Sequence, residues 1–204
     1  MVCSTVDKDE NMNYRKAYES DINAIAAIYE HTHDAEEAGL TTIGWIRSIY
    51  PKRETALAAL ERGDLYVAVA SAEEMCEAQR GDKFKRLMVS DGICIATAII
   101  NQLQVDVYAD VDWSYAASDD EVLVLHTLAV DPAYRKCGCG RDFVAFYEKL
   151  AAEMGCKALR MDTNERNAIA RRFYAGIGYR EAGIVPTVFN GIPGVNLVML
   201  EKAV

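Results

Sequence analysis

Seven residues, Arg135-Lys136-Cys137-Gly138-Cys139-Gly140-Arg141, carry the densest chemical signal in this chain. They separate an apolar run that predicts a strand, Glu121 to Val130, from one that predicts a helix, Asp142 to Met154. A glycine-bearing loop that opens a helix exposes several backbone N–H groups, and the helix dipole adds partial positive charge there. The segment therefore predicts an anion cradle suited to a diphosphate. Gly138 and Gly140 let the main chain approach the anion without a Cβ in the way. Arg135, Lys136 and Arg141 concentrate cations in a chain whose formal charge is −9. Two other phosphate motifs fail. A P-loop ends in Gly-Lys-Ser/Thr, where this chain has Gly140-Arg141-Asp142, and a dinucleotide fingerprint needs a third glycine where this chain has Phe143.

The flanks narrow the reading. Leu128-Ala129-Val130-Asp131-Pro132 precedes the loop, and Asn167, Ala170, Phe173, Tyr174, Gly178 and Tyr179 follow the next predicted strand. Over about residues 120 to 182 this arrangement resembles the GNAT superfamily of acyl-CoA-dependent N-acetyltransferases. In that family an LAVDPxYRxxGxG strand-loop-helix grips the CoA diphosphate and an N-x-x-A-x-x-F-Y-x-x-x-G-Y/F helix follows. The resemblance implies acetyl-CoA as co-substrate and a primary amine as acceptor, attacked directly in a ternary complex. It implies a bulged strand at Leu128, Ala129 and Val130 that pairs with the pantetheine arm. A backbone N–H near Leu128 or Ala129 would polarise the thioester carbonyl. Main-chain N–H groups of residues 136 to 141 would hold the diphosphate, with Arg135, Lys136, Arg141 and Arg171 around it.

Asn167 stands where the family uses an amide against the same arm, helix capping being its other reading. Tyr174 stands where the family protonates the departing thiolate; a core aromatic is the alternative. The base stays open between Glu121, which opens the key strand, and His126, whose intrinsic pKa suits proton transfer near neutrality. Their positions have opposite parity, so a regular strand sends them to opposite faces. A catalytically idle acyl-CoA-binding module on the same fold is the competing reading, and an interaction protein without cofactor a third.

The acceptor is not written in the sequence. Polyamine, aminoglycoside, amino acid and peptide N-terminus are all admitted, the acidity favouring a cationic one. The charge balance argues against non-specific nucleic-acid binding. No apolar run reaches the roughly 18 residues of a membrane span and no signal-peptide pattern opens the chain, so a cytoplasmic protein is expected. A homodimer is one admitted assembly. The cysteines at 3, 76, 94, 137, 139 and 156 match neither a zinc nor a redox spacing. Cys137 and Cys139, beside cations at a helix start, admit two readings: small residues that merely fit the loop, or thiols of raised reactivity whose oxidation would block the cradle. His31, His33 and Asp34 lack a ligand spacing, so no metal is expected.

These residues need a scaffold. Strands are predicted at Tyr14 to Tyr18, Leu65 to Ala70, Ile93 to Asn101, Glu121 to Val130 and Leu159 to Thr163, with a terminal hairpin about Asn190-Gly191. Helices are predicted from Asp21 to about His31, from Thr41 or Thr42 through Trp45, Ile46 and Ile49 to Pro51, and from Glu54 to Arg62. A helix capped by Asn164, with Ile169 and Phe173 facing inward, ends near Gly176. Ser71 to Gly92 is a polar linker, either a long hairpin loop or a helical turn. Gln102 to Asp120 is an acidic surface loop or one wall of the acceptor site. Residues 1–12 read as an extension and 13–204 as one domain. The order of elements predicts an α/β fold. Its central sheet is mixed, mostly antiparallel and splayed at its middle, with helices on both faces.

Overall fold

The computed structural model describes residues 12–71 and 85–204. The predicted extension up to residue 11, Cys3, Cys76 and most of the 71–92 linker lie outside them; Met12 already pairs with Ala70 in the sheet. The strands are β1 (Met12–Lys16), β2 (Leu65–Ala70), β3 (Met88–Val89), β4 (Gly92–Asn101), β5 (Val122–Val130), β6 (Ala158–Asn164), β7 (Arg180–Phe189) and β8 (Ile192–Ala203). They form one sheet in the order β1-β2-β4-β5-β6-β8-β7, with β3 paired to β4. Every pairing is antiparallel except β5 with β6.

That one parallel pair makes the site. β5 and β6 are in register only from Val122↔Ala158 to Leu125↔Met161. Beyond Leu125 the strands part, and the edge of β5 that faced β6 loses its strand partner. Tyr147 clips the closed end, its hydroxyl donating to Leu123 O at 2.6 Å and lying 3.2 Å from Arg160 O.

Helices α1 (Ile22–Glu37) and α3 (Cys139–Glu153) pack on β4 and β5 from opposite faces, and α2 (Arg53–Arg62) lies beside α1. α4 (Ala168–Gly176) packs on β7. Period-two alternation sorts β5 between two cores. Leu123 and Leu125 enter the main one, while Val122 and Val124 enter a smaller one with Tyr108, Ile192, Leu197 and Met199. No described α-helix covers that second core. The 102–121 segment does, with Tyr108 and Trp113 inserted as anchors. Buried Glu201 fixes it to β8, accepting the Ser114 N–H at 2.8 Å while paired with Arg180. The aspartates of this segment stay exposed, as an acidic surface loop requires, while Tyr108 and Trp113 pack into the second core and Leu103, Gln104 and Val105 line a cavity.

Three other expectations change. α1 runs six residues past His31. Helix α4 is capped by Asn167, whose Oδ1 accepts the Ala170 N–H at 3.1 Å, not by Asn164; Ile169 is solvent-exposed rather than inward. The helix expected between Thr41 and Pro51 does not form. The Glu36 carboxylate takes the N–H groups of Ile43 and Gly44, at 2.8 and 2.9 Å, that would have begun it. Gly44 holds a φ of +85°, and a Cβ there would meet Asn164 Nδ2 at 2.3 Å. The segment instead runs as irregular chain into a turn at 46–50, where the N–H groups of Ile49 and Tyr50 both reach Ile46 O at 2.8 Å.

Candidate active site

The strand break is also a bulge. Thr97 pairs with Ala129 but Ile99 pairs with His126, so Thr127 and Leu128 together oppose Ala98. Thr127 takes a φ of +53°, which a β-branched residue adopts only when its surroundings hold it there. Here the Tyr50 hydroxyl bonds Thr127 Oγ1 from the 41–51 segment. The bulge therefore begins one residue before the Leu128–Val130 stretch that the sequence suggested.

Two cavities meet at this bulge. The smaller, about 120 Å³, is lined by Leu128, Asn167, Ala170 and Tyr174 together with Trp45 of the 41–51 segment. The larger, about 510 Å³, is lined by Arg62, Asn101, Gln104, His126 and Asn190. Tyr50, Leu125, Thr127, Asp162 and Phe189 line both, so they form the common wall.

Asp162 is the chemical centre of that wall. It stands on β6 where the strands part and receives the Tyr108 hydroxyl at 3.0 Å. Burial pushes its carboxyl up to about 6, against the opposing effect of the Tyr108 hydrogen bond. Tyr174 is buried and packs edge-on to Tyr179, with ring centroids 5.8 Å apart. Burial and, second, the nearby Asp162 charge raise its phenol well above the ordinary range, so it holds its proton at neutral pH. Asn167 uses Oδ1 as the helix cap yet still lines the small cavity, which leaves its amide N–H₂ for that space.

His126 lines the large cavity. Its Nε2 lies 3.2 Å from Asn101 Oδ1 and 3.0 Å from Leu103 O. Asn101 is itself oriented, donating Nδ2 to Asp64 and accepting the Leu103 N–H on Oδ1, so both neighbours of Nε2 are acceptors and Nε2 carries the proton. Burial lowers the pKa of His126, keeping it neutral. Glu121 is elsewhere. It sits in a short turn ahead of β5, caps Ser118, and pairs with Lys157, whose ammonium leads in depressing the carboxyl to about 2. It lines neither cavity, and so weak a base placed there does not fit the role considered for it.

At the far end of β5, Asp131 caps the turn Pro132–Tyr134, and α3 begins at Cys139 behind Gly138. Gly138 has a φ of +89° and Lys136 one of +65°, a bend that turns successive N–H groups outward. The Arg141 N–H is an exception. It donates to Gly138 O at 2.8 Å, so the cradle closes before residue 141 and Arg141 offers its side chain only. Among the described residues Arg135, Lys136 and Arg141 have no carboxylate partner, so their charges face solvent. Cys139 is buried in the first helical turn and Cys137 partly covered, its thiol 3.7 Å from Arg135 O. Arg171 leaves the cluster predicted for it. Its Nε and Nη2 pair with Glu181 at 2.7 and 2.8 Å, and Nη1 reaches Glu165 O. His31 pairs with Asp131 at 2.6 Å, and His33 Nε2 lies 2.9 Å from Pro51 O.

Residues 70–179, more than half the chain, match the model of the acetyltransferase (GNAT) family. The chain belongs to that family. It is 23% identical over 113 residues to an aminoglycoside N(6')-acetyltransferase type 1 of Salmonella typhimurium, covering 55% of this chain and 72% of that protein. Its fold is similar to a GNAT acetyltransferase from Streptococcus agalactiae (TM-score 0.69, 21% identity, 95% of each chain). It is also similar to yncA of Salmonella typhimurium, solved with acetyl-CoA (TM-score 0.59, 17% identity, 95% and 94% of the chains). The parting strands, the bulge and the helix start at Cys139 all lie along β5 or directly after it.

Sequence reasoning missed Asp162, Thr127, Tyr50 and Arg62. Asp162 alone left a signal: a carboxylate inside the strand predicted from Leu159 to Thr163.

Proposed function

We propose that the chain transfers an acetyl group from acetyl-CoA to a primary amine of a small molecule, by direct attack in a ternary complex. The observation that carries this is the shared wall. The cavity with Tyr174 and Asn167 and the cavity with His126 share a wall made of Tyr50, Leu125, Thr127, Asp162 and Phe189.

In this reading the diphosphate lies on the N–H groups of residues 136–140, flanked by Arg135, Lys136 and Arg141. The pantetheine arm pairs with the unpartnered edge of Leu128, Ala129 and Val130, and Asn167 steadies it with its amide. The acceptor enters as an ammonium ion, and Asp162 takes its proton. The amine nitrogen then bonds the thioester carbon while a bulge N–H near Leu128 or Ala129 steadies the oxyanion. The C–S bond breaks as Tyr174 gives its proton to the sulfur, and the second proton of the amine nitrogen, acidic once the C–N bond has formed, restores the phenol. Asp162 suits the base because its raised pKa brings it close to working pH, whereas His126, neutral with Nε2–H committed, orients the acceptor. The aminoglycoside-acetylating relative supports a small-molecule acceptor. Neither cavity is lined by Cys137 or Cys139, which argues against a covalent acyl-cysteine.

Free-thiol release from acetyl-CoA across an amine panel tests this. Turnover is expected, and Tyr174→Phe is expected to lower kcat about 10²–10³-fold with little change in acetyl-CoA KM. Tight CoA binding with no turnover would favour the idle binding module instead.

A further inference from the structure

We infer that the acceptor is a small amine bearing a carboxylate, such as an α-amino acid, with its ammonium group at Asp162 and its carboxylate at Arg62. This rests on the acetyl-transfer reading and names the substrate class of the same site.

The charge content of the large cavity carries the inference. Its lining holds one carboxylate, Asp162, at the inner end shared with the donor cavity, and one guanidinium, Arg62; Asn101, Gln104, His126 and Asn190 are neutral. The acidic residues of the covering segment, Asp106, Asp110, Asp112, Asp119 and Asp120, do not line it. The steering wall of carboxylates that the sequence suggested is therefore absent from this cavity. A polycation such as an aminoglycoside would set several desolvated ammonium groups against a single acid, a costly arrangement. A zwitterion meets one partner at each end.

Arg62 is also built to receive an anion. It stands on α2 at helical spacing from Thr55 and Ala58, and all three line the cavity. Its Nε and Nη2 are held by Asp64 at 2.8 and 3.1 Å, and Asp64 is anchored by Asn101 Nδ2 at 2.8 Å. That fork fixes the guanidinium plane and leaves Nη1 without a partner among the described residues. A guanidinium fixed by one carboxylate, with Nη1 unpartnered among the described residues, on a residue that lines the cavity can take a second carboxylate.

The test compares L-amino acids with their decarboxylated amines, and with the aminoglycoside kanamycin, as acceptors for the full chain. Each amino acid is expected to exceed its decarboxylated partner in kcat/KM by about tenfold or more. Arg62→Lys and Arg62→Gln should shrink that ratio toward one, chiefly through KM of the amino acid. A decarboxylated amine or kanamycin as the better acceptor would overturn the inference. Thermal shifts of the CoA-loaded chain with the same pairs separate this claim from acetyl transfer itself. If thiol release is absent but amino acids alone stabilise the complex, carboxylate recognition stands without the chemistry; if neither partner of a pair stabilises it or turns over, the inference falls.

Discussion

In the proposed reading, the donor and acceptor sides of the cleft are built on different principles. The donor side comes from two stretches, residues 128–141 and 167–174, and works largely through main-chain N–H groups, glycine conformations and a helix start. The acceptor side draws on α2, β4, the segment after Asn101, β5, β6 and the β7–β8 turn, and works through side chains. A cofactor common to a whole family needs only a local backbone shape. A particular acceptor needs side chains gathered from distant places, where a single exchange alters charge and size without disturbing the fold.

The largest effect that would sharpen this contrast belongs to Asp162, which both sides share. Asp162→Asn is expected to lower kcat/KM for the amine about 10²–10³-fold while leaving acetyl-CoA binding nearly unchanged. In the unmodified protein, kcat/KM should rise with pH through about 6, as Asp162 loses its proton. The same residue has a stability signature. Because its folded pKa lies above the ordinary aspartate value of 3.8, the folded state holds the proton more tightly, and stability falls as pH rises from 3.8 to about 6. Above that window Asp162→Asn should stabilise the chain by roughly 1–2 kcal/mol, the full shift being reduced by the carboxylate's contact with the open cavities. An unchanged or lower Tm for the variant at pH 8, or unchanged turnover, would break the assignment.

A smaller effect isolates the donor side. A Cβ on Gly140 would meet only Val130 Cγ2, at 3.8 Å, so Gly140→Ala should fold with an unchanged Tm. Its methyl group would intrude on the cradle, and the acetyl-CoA KM should rise about tenfold while acceptor KM stays put. Equal losses on both substrates would show that the two sides are not separable.

The smallest effect tests whether the covering segment tunes the acceptor side. Tyr108→Phe removes a hydrogen bond that lowers the Asp162 pKa, so the acid limb of kcat/KM should move up by about half a unit to one unit. A limb that stays in place would make Tyr108 a packing residue alone.

Much of the fold was legible because its strands alternate or run apolar in recognisable lengths; Leu65–Ala70 is a strand end to end as read. Legibility failed where a tertiary partner outbid local preference. Thr41 to Pro51 has helical periodicity in Trp45, Ile46 and Ile49, yet Glu36 captures the N–H groups that would start the helix. The failure mattered, because the non-helical segment brings Tyr50 and Trp45 into the cleft. Glu121 was misread for a related reason. Its place just before β5 is visible in sequence, but Lys157, which draws it away from the cleft, is 36 positions downstream.

The amino-acid sequence by itself determined the cradle, the order of elements around it and the tyrosine on the following helix. Each depends on neighbours within one strand-loop-helix unit, whose geometry follows from glycine conformations and helix polarity. Only the tertiary structure decided the common wall of Tyr50, Thr127 and Asp162, the neutral state of His126 and the hold of Asp64 on Arg62. Those properties arise from burial and from contacts between residues dozens of positions apart, which no local pattern records.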